Sequence, residues 1–166
     1  IVKRLAPTYE FSSAWCFSKR KSTSIIDEYI VAYDEYAGLG SGAIGYLQGR
    51  CYANTFDIPQ YISLINRGEP PLWASRDFTS QDKMRYDFLM KLFATKLDLP
   101  ALQKKYNGPL YRHLWPAILA FSLLGALRYE KHCLHLTKRG YYFWVIMMRE
   151  FFIAVNNFRD FCRNGA

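Results

Sequence analysis

The segment Gly38-Leu39-Gly40-Ser41-Gly42-Ala43-Ile44-Gly45 holds four glycines in eight residues. Glycine accepts positive φ and lets another group approach the main chain, so such a run either faces a ligand or packs tightly against a neighbouring part of the protein. Its G-x-G-x-G spacing is not the dinucleotide fingerprint G-x-G-x-x-G, and no Walker-type lysine follows it. Spacing alone leaves both readings open. Two other groups carry chemistry. His132-Cys133-Leu134-His135 is the one local gathering of metal-ligating residue types, and His113, His132 and His135 can each be an axial heme ligand or an ordinary surface histidine. Cys16, Cys51, Cys133 and Cys162 stand far apart without a C-x-x-C, so they read as neither a disulfide framework nor a complete metal site.

Whatever the glycines face, the surrounding chain must hold them. Tyr9 to Phe17 alternates Tyr9, Phe11, Ser13, Trp15 and Phe17 against Glu10, Ser12, Ala14 and Cys16, the period-2 pattern of a strand. Ser18 to Ser24 is polar and basic and reads as a loop. Tyr29 to Tyr33 is a second strand, and Tyr36 to Ile44 is a third that runs into the glycines. Gln48-Gly49 turns the chain and Arg50 to Phe56 returns it extended. Pro59 to Arg67 reads as a short helix ended by Gly68, after which Glu69-Pro70-Pro71 breaks regularity. A boundary placed there gives two domains, residues 1–75 and 76–166.

From Arg76 the pattern becomes helical. Thr79 and Asp82 can cap a helix reaching about Leu97, with Met84, Phe88, Leu92 and Phe93 on one face. Pro100 to Asn107, stopped by Gly108, is a second helix. Leu110 to Leu124, stopped by Gly125, is a third with Leu114, Ile118, Phe121 and Leu124 inward. Leu127–Glu130 and Cys133–Leu136 pair as a hairpin, and Thr137 caps a long helix with the stripe Trp144, Met148, Phe151, Val155 and Phe158. Three helices, a two-stranded wing and a following helix make a winged-helix-like module, common in DNA binding but not diagnostic of it.

The chain has 166 residues, enough for one domain or one domain with part of another, and its 51% hydrophobic content argues for a buried core rather than disorder. The net charge of +8 sits in the second half. A basic half suits nucleic acid, an anionic ligand or plain solvation. The N-terminus lacks the apolar core of a signal peptide, and the apolar run Tyr141 to Met148 is too short to span a bilayer, so the sequence reads as cytosolic with no membrane partner.

Taken in order, several segments resemble the C-terminal part of the oxygen-independent coproporphyrinogen III oxidase family of radical S-adenosylmethionine (SAM) proteins. Tyr9-Glu10-Phe11-Ser12 resembles the family's Y-E-x-S strand, and Tyr36 with Gly38, Gly40, Gly42 and Ala43 resembles its Y-x-G-x-G-x-x-A segment. Cys51-Tyr52-Ala53-Asn54 is similar to the stretch that follows in some members. Arg67-Gly68-Glu69 matches the turn before the C-terminal domain, and Gly125-Ala126-Leu127 with Leu136-Thr137 and Gly140 resembles that domain's G-x-L and L-T-x-x-G pieces. Two departures stand out. The cluster-binding C-x-x-x-C-x-x-C is absent, and Ser18 to Tyr33 lacks the N-x-x-Y-W pattern of many members. The aromatic helix from Met148 to Phe158 resembles the branch tied to heme utilisation and anaerobic heme breakdown.

The resemblance implies an α+β chain: the last strands of a radical-SAM α/β barrel, then a helical, winged-helix-like C-terminal domain. It implies that Gly38, Gly40, Gly42, Ala43 and Ile44 sit near SAM, and that Gly42→Val in the full-length parent weakens SAM binding far more than stability. Glu10, on a strand expected to run into the barrel mouth, is the best polar candidate for the substrate, the other reading being a solvent-facing or salt-bridged carboxylate. The parent enzyme would use SAM and a [4Fe-4S] cluster to generate a 5′-deoxyadenosyl radical and attack a porphyrin or heme, while this chain alone neither binds a cluster nor cleaves SAM. With too few strands to close a barrel, the chain is expected to self-associate through its N-terminal third. The rivals are a winged-helix nucleic-acid-binding module and a heme carrier without catalysis. Lys131, Lys138 and Arg139 flank the wing, but Leu110 to Leu124 carries only Arg112 for phosphate contact.

Overall fold

The structure is a computed structural model that describes residues 2–5, 8–14, 16–19, 34–107 and 110–164. In chain order the elements are α1 (Val2–Leu5), β1 (Glu10–Phe11), β2 (Phe17–Ser18), β3 (Ile44–Leu47), β4 (Arg50–Asn54), α2 (Ile58–Asn66) and β5 (Leu72–Asp77). There follow α3 (Ser80–Phe93), β6 (Lys96–Asp98), α4 (Leu99–Tyr106), α5 (Leu110–Leu123), β7 (Leu127–Glu130), β8 (Cys133–Leu136) and α6 (Lys138–Asn164). The chain divides into two compact units, Ile1–Ala32 with Ser80–Met148 and Tyr33–Thr79 with Arg149–Ala166. The expected strand Tyr29 to Tyr33 and the cap at Gly108 lie outside the described residues.

The first unit is built on the face predicted for α3. Met84, Phe88 and Leu92 recur every four residues and are buried with Phe93, Leu97, Leu102, Leu114, Leu134, Leu136 and Trp144. The helix is shorter than expected. Thr95 takes a left-handed φ of 73°, and residues 96–98 leave as a strand, so Leu97 reaches the core from β6. β6 pairs with β8, which pairs with β7, in a three-stranded antiparallel sheet. Asp98 caps α4 by accepting from the Ala101 amide at 2.9 Å, and Asn107 ends it in the left-handed region. The buried Asp87 carboxylate ties α4 back to α3, accepting from the Tyr106 hydroxyl and pairing with Lys105 Nζ, both at 2.7 Å. A buried carboxylate needs such partners. Leu124, expected inward, is 42% exposed because α5 ends one residue before it.

Turn chemistry at one corner explains two of the sequence pieces noted above. Gly125 has φ 67°, its amide donates to Ser122 and the Ala126 amide to Phe121, a paired termination of α5 that a glycine permits. Thr137 Oγ1 donates to the Gly125 carbonyl at 2.7 Å and accepts from the Gly140 amide at 3.1 Å, capping α6. Gly140 is glycine because a Cβ there would run into the Ala126 carbonyl. Thr137→Ala is therefore expected to cost about 1–2 kcal/mol, read from the urea midpoint of the first unit, as for other lost N-caps.

The expected strand Tyr9 to Phe17 is instead a small hairpin. Glu10 pairs with Ser18 and Phe11 with Phe17. Ser13 Oγ accepts from the Cys16 amide, the bond by which a serine favours a turn over a continued strand. Phe11 stacks flat on Tyr141, with ring centroids 3.9 Å apart, and the Ala14 amide donates to Phe93.

In the second unit β3, β4 and β5 form an antiparallel meander. The Gln48-Gly49 turn closes β3 onto β4 with both residues at positive φ, as two-residue hairpins require. β5 runs across residue 75 to Asp77. The strands are antiparallel, and no sheet closes into a barrel among the described residues. α2 opens at Asp57, whose side chain accepts from the Gln60 amide, and ends at Gly68, where the Gly68 and Glu69 amides donate to Ile65 and Leu64. None of its residues is buried. Among the described residues no helix is long and apolar enough to cross a membrane.

Candidate functional site

The glycines do not continue a strand, as the sequence suggested. Tyr36 forms a single antiparallel bridge with Tyr46, residues 37–43 loop out, and β3 begins at Ile44. The loop is folded against β4 and α2 by a dense set of bonds. The Asn54 amide nitrogen donates to the carbonyls of both Gly38 (3.2 Å) and Gly40 (3.0 Å). Tyr52 OH accepts from the Gly38 amide at 2.9 Å, and Tyr61 OH from the Gly40 amide at 3.1 Å. Ser41 Oγ and the Gly42 amide both donate to the Thr55 carbonyl, at 2.9 and 2.8 Å. Tyr52 and Asn54 lie in the stretch compared with the family above, whereas Thr55 and Tyr61 were not singled out by the sequence.

The register shows why they meet. The turn at Gln48-Gly49 sets Gly45 opposite Tyr52 and Ile44 opposite Ala53. Alternation along β4 then sends Tyr52 and Asn54 to one face, toward the loop. That deduction was available from the turn alone.

Three of the four glycines answer to the protein's own packing. A Cβ on Gly38 would lie 2.5 Å from the Ile44 backbone, one on Gly42 2.7 Å from the Phe56 ring, and one on Gly45 inside the Tyr52 ring. Gly40 differs. Its φ is 105° and a Cβ there would meet nothing within 4 Å. Ala43 and Ile44 join the loop to β3, and the Ala43 carbonyl accepts from the Asn54 amide.

The remaining candidates lie elsewhere. Glu10 is exposed on β1 of the other unit. His132 Nδ1 is 3.2 Å from Tyr129 OH in the β7–β8 turn, His113 is exposed on α5, and His135 is half-buried on β8. No group of three His, Cys, Asp or Glu able to hold a metal occurs among the described residues. Within neither unit do more than two cysteines occur among the described residues, whereas an iron–sulfur cluster needs several thiolates at one point. Burial pushes the Cys51 thiol up, away from the thiolate form that ligates metals. Phe56, Asp57, Ile58, Pro59 and Cys162 line a cavity of about 210 Å³ at the start of α2.

No protein family matches the chain, and no curated protein matches it. Among solved structures it is similar to coproporphyrinogen III oxidase from Escherichia coli, a radical SAM enzyme, with a TM-score of 0.59 and 14% identity over 86% of this chain. The likeness is one of fold. The chain spans 37% of the length of that structure.

Proposed function

We propose that the chain is the C-terminal part of a radical SAM enzyme that acts on a porphyrin, by oxidative decarboxylation or by anaerobic heme breakdown. The observation that carries this is the fold likeness to coproporphyrinogen III oxidase over most of the chain. It is supported by the ordered sequence pieces, whose glycines and threonine sit at the turns that fix the fold. In this reading residues 1–75 contribute the end of the barrel and 76–166 a winged-helix-like module; the order α3, β6, α4, α5, β7, β8 supports the second of these alone. SAM, once bound with a cluster held elsewhere in the enzyme, would supply the radical chemistry. The role of this chain's residues is to bind and orient, with the glycine loop forming one wall of the SAM site.

The nucleic-acid alternative has less support. In a winged helix the third helix meets DNA, and α5 turns Trp115, Leu119 and Leu123 to solvent, three apolar side chains poorly suited to a phosphate. Titration of the protein with coproporphyrin III and with hemin, followed by tryptophan quenching, and with SAM by calorimetry, tests the proposal. Saturable binding of a porphyrin is the expected result, with SAM bound where the cluster-bearing part of the enzyme is supplied. Binding of neither, with steeply salt-dependent binding of duplex DNA, would replace it with the nucleic-acid reading.

A further inference from the structure

We propose that the outer face of α2 is the surface through which two copies of this chain pair about a two-fold axis. Ile58, Ile62 and Ile65 follow one another at spacings of four and three, so at 3.6 residues per turn they share ~60° of the helix surface. They are 62%, 52% and 48% exposed. The side of α2 that meets its own unit is a different one, carried by the half-buried Tyr61 and Leu64. At the start of the helix the stripe runs on into α6, because Ile58 and Cys162 line the same cavity and Phe161, beside Cys162, is 57% exposed. A surface helix ordinarily turns its apolar stripe to the core and its charges to water. α2 has no charged residue anywhere along it, and its isoleucines face out.

Charge and area select the occupant. The unit that holds this face, Tyr33–Thr79 with Arg149–Ala166, has six Lys/Arg, none of them lysine, and seven Asp/Glu, whereas the rest of the chain has sixteen and seven. Nucleic acid or an acidic protein is drawn to the basic unit, not to this one. A second copy meets no like-charge repulsion along an uncharged stripe, and scarce lysine with plentiful aromatic residues is the composition of interfaces. A two-fold axis sets one patch against itself, which an apolar stripe satisfies. Four large side chains, each about half exposed, offer roughly 400 Å². A standard interface buries about 800 Å² per partner, a little over half of it apolar, and so asks for about 450 Å² of apolar surface from each. The N-terminal hairpin is a poorer surface for pairing, since Phe11 is already covered by Tyr141. The pairing does not depend on the porphyrin reading.

Sedimentation velocity of the whole chain between ~1 and ~200 μM tests it, the range in which an interface of this size reports itself. A dimer with a micromolar Kd is expected. Ile62→Lys and Ile62→Glu each set a charge in the middle of the stripe, opposite its own copy, and each is expected to weaken association about a hundredfold or more. Their circular dichroism and Tm should match the wild type, because the side chain is half exposed. An equal mixture of the two should dimerise again, since Lys and Glu then meet across the axis. Leu123→Lys, on the exposed end of α5 in the other unit, should leave association unchanged.

A wild type that is monomeric throughout overturns the proposal and gives the face to a different protein surface. Dimers that survive Ile62→Lys, or that Leu123→Lys dissolves, place the contact elsewhere and overturn it as well. Monomeric variants that fail to dimerise on mixing refute the pairing of α2 with α2. If the variants at position 62 do not fold, Ile58→Lys and Ile58→Glu, at the most exposed position of the stripe, decide by the same measurements.

Discussion

Trp144→Ala is expected to remove about 3–5 kcal/mol of stability, the usual cost of truncating a fully buried tryptophan. The indole is 0% exposed, its ring centroid is 4.8 Å from that of Phe121 and 6.4 Å from that of Phe88, and its Nε1 donates to the Leu89 carbonyl at 3.2 Å. The substitution therefore opens a cavity among α3, α5 and α6 and removes the bond that the indole adds to the Leu89 carbonyl. A domain of this size is stable by only about 5–15 kcal/mol, so much of the margin goes with one side chain. Urea unfolding followed by circular dichroism gives the number. A loss below about 1.5 kcal/mol would mean that the core around residue 144 relaxes more than its packing suggests.

Gly42→Val is the second large effect, expected at about 2–4 kcal/mol from backbone strain and overpacking together. Gly42 has φ 70°, a region that a β-branched residue strongly resists, and its Cβ would enter the Phe56 ring. A shift of the Phe56 ring to make room would disturb its edge-to-face contact with Phe158, at 5.7 Å. The strain also threatens the bond from the Gly42 amide to Thr55. The sequence alone suggested the reverse balance, with SAM affinity suffering more than stability. Denaturation of the valine variant distinguishes the two: near-wild-type stability with lost SAM affinity would restore Gly42 as a ligand-facing residue.

What could be read from the sequence was mostly what glycine, proline and small polar residues announce. The Gln48-Gly49 hairpin, the helix read as Pro59 to Arg67 and the cap at Thr137 follow from turn chemistry, and the structure has each of them, the helix as Ile58–Asn66. The hairpin of β7 and β8 was legible from its strands, although its turn places Lys131 and His132 at positive φ. The stripe Met84, Phe88, Leu92 was equally legible, because helical periodicity survives where an entire face is buried. β6 was not, because its helix ends at Thr95, a β-branched residue in a left-handed conformation that no sequence rule flags. The Leu136 amide donates to the Thr95 carbonyl, so the exit is fixed by a strand forty residues away. The same holds for the site. The glycines were conspicuous, whereas Asn54 looked like one polar residue in a strand, and only its register against the loop gives it two carbonyls to hold.

The stacking of Phe11 on Tyr141 bears on how the chain is made. Synthesis runs from the N-terminus, so the β1–β2 hairpin emerges some 130 residues before its aromatic partner, a wait of order ten seconds at usual elongation rates. Until then Phe11 and Phe17 have no Tyr141 to cover them, and a two-stranded hairpin this short does not persist by itself in water. The hairpin thus finds its place only once Tyr141 has followed it, and in the interval its aromatic side chains are a natural target of a chaperone.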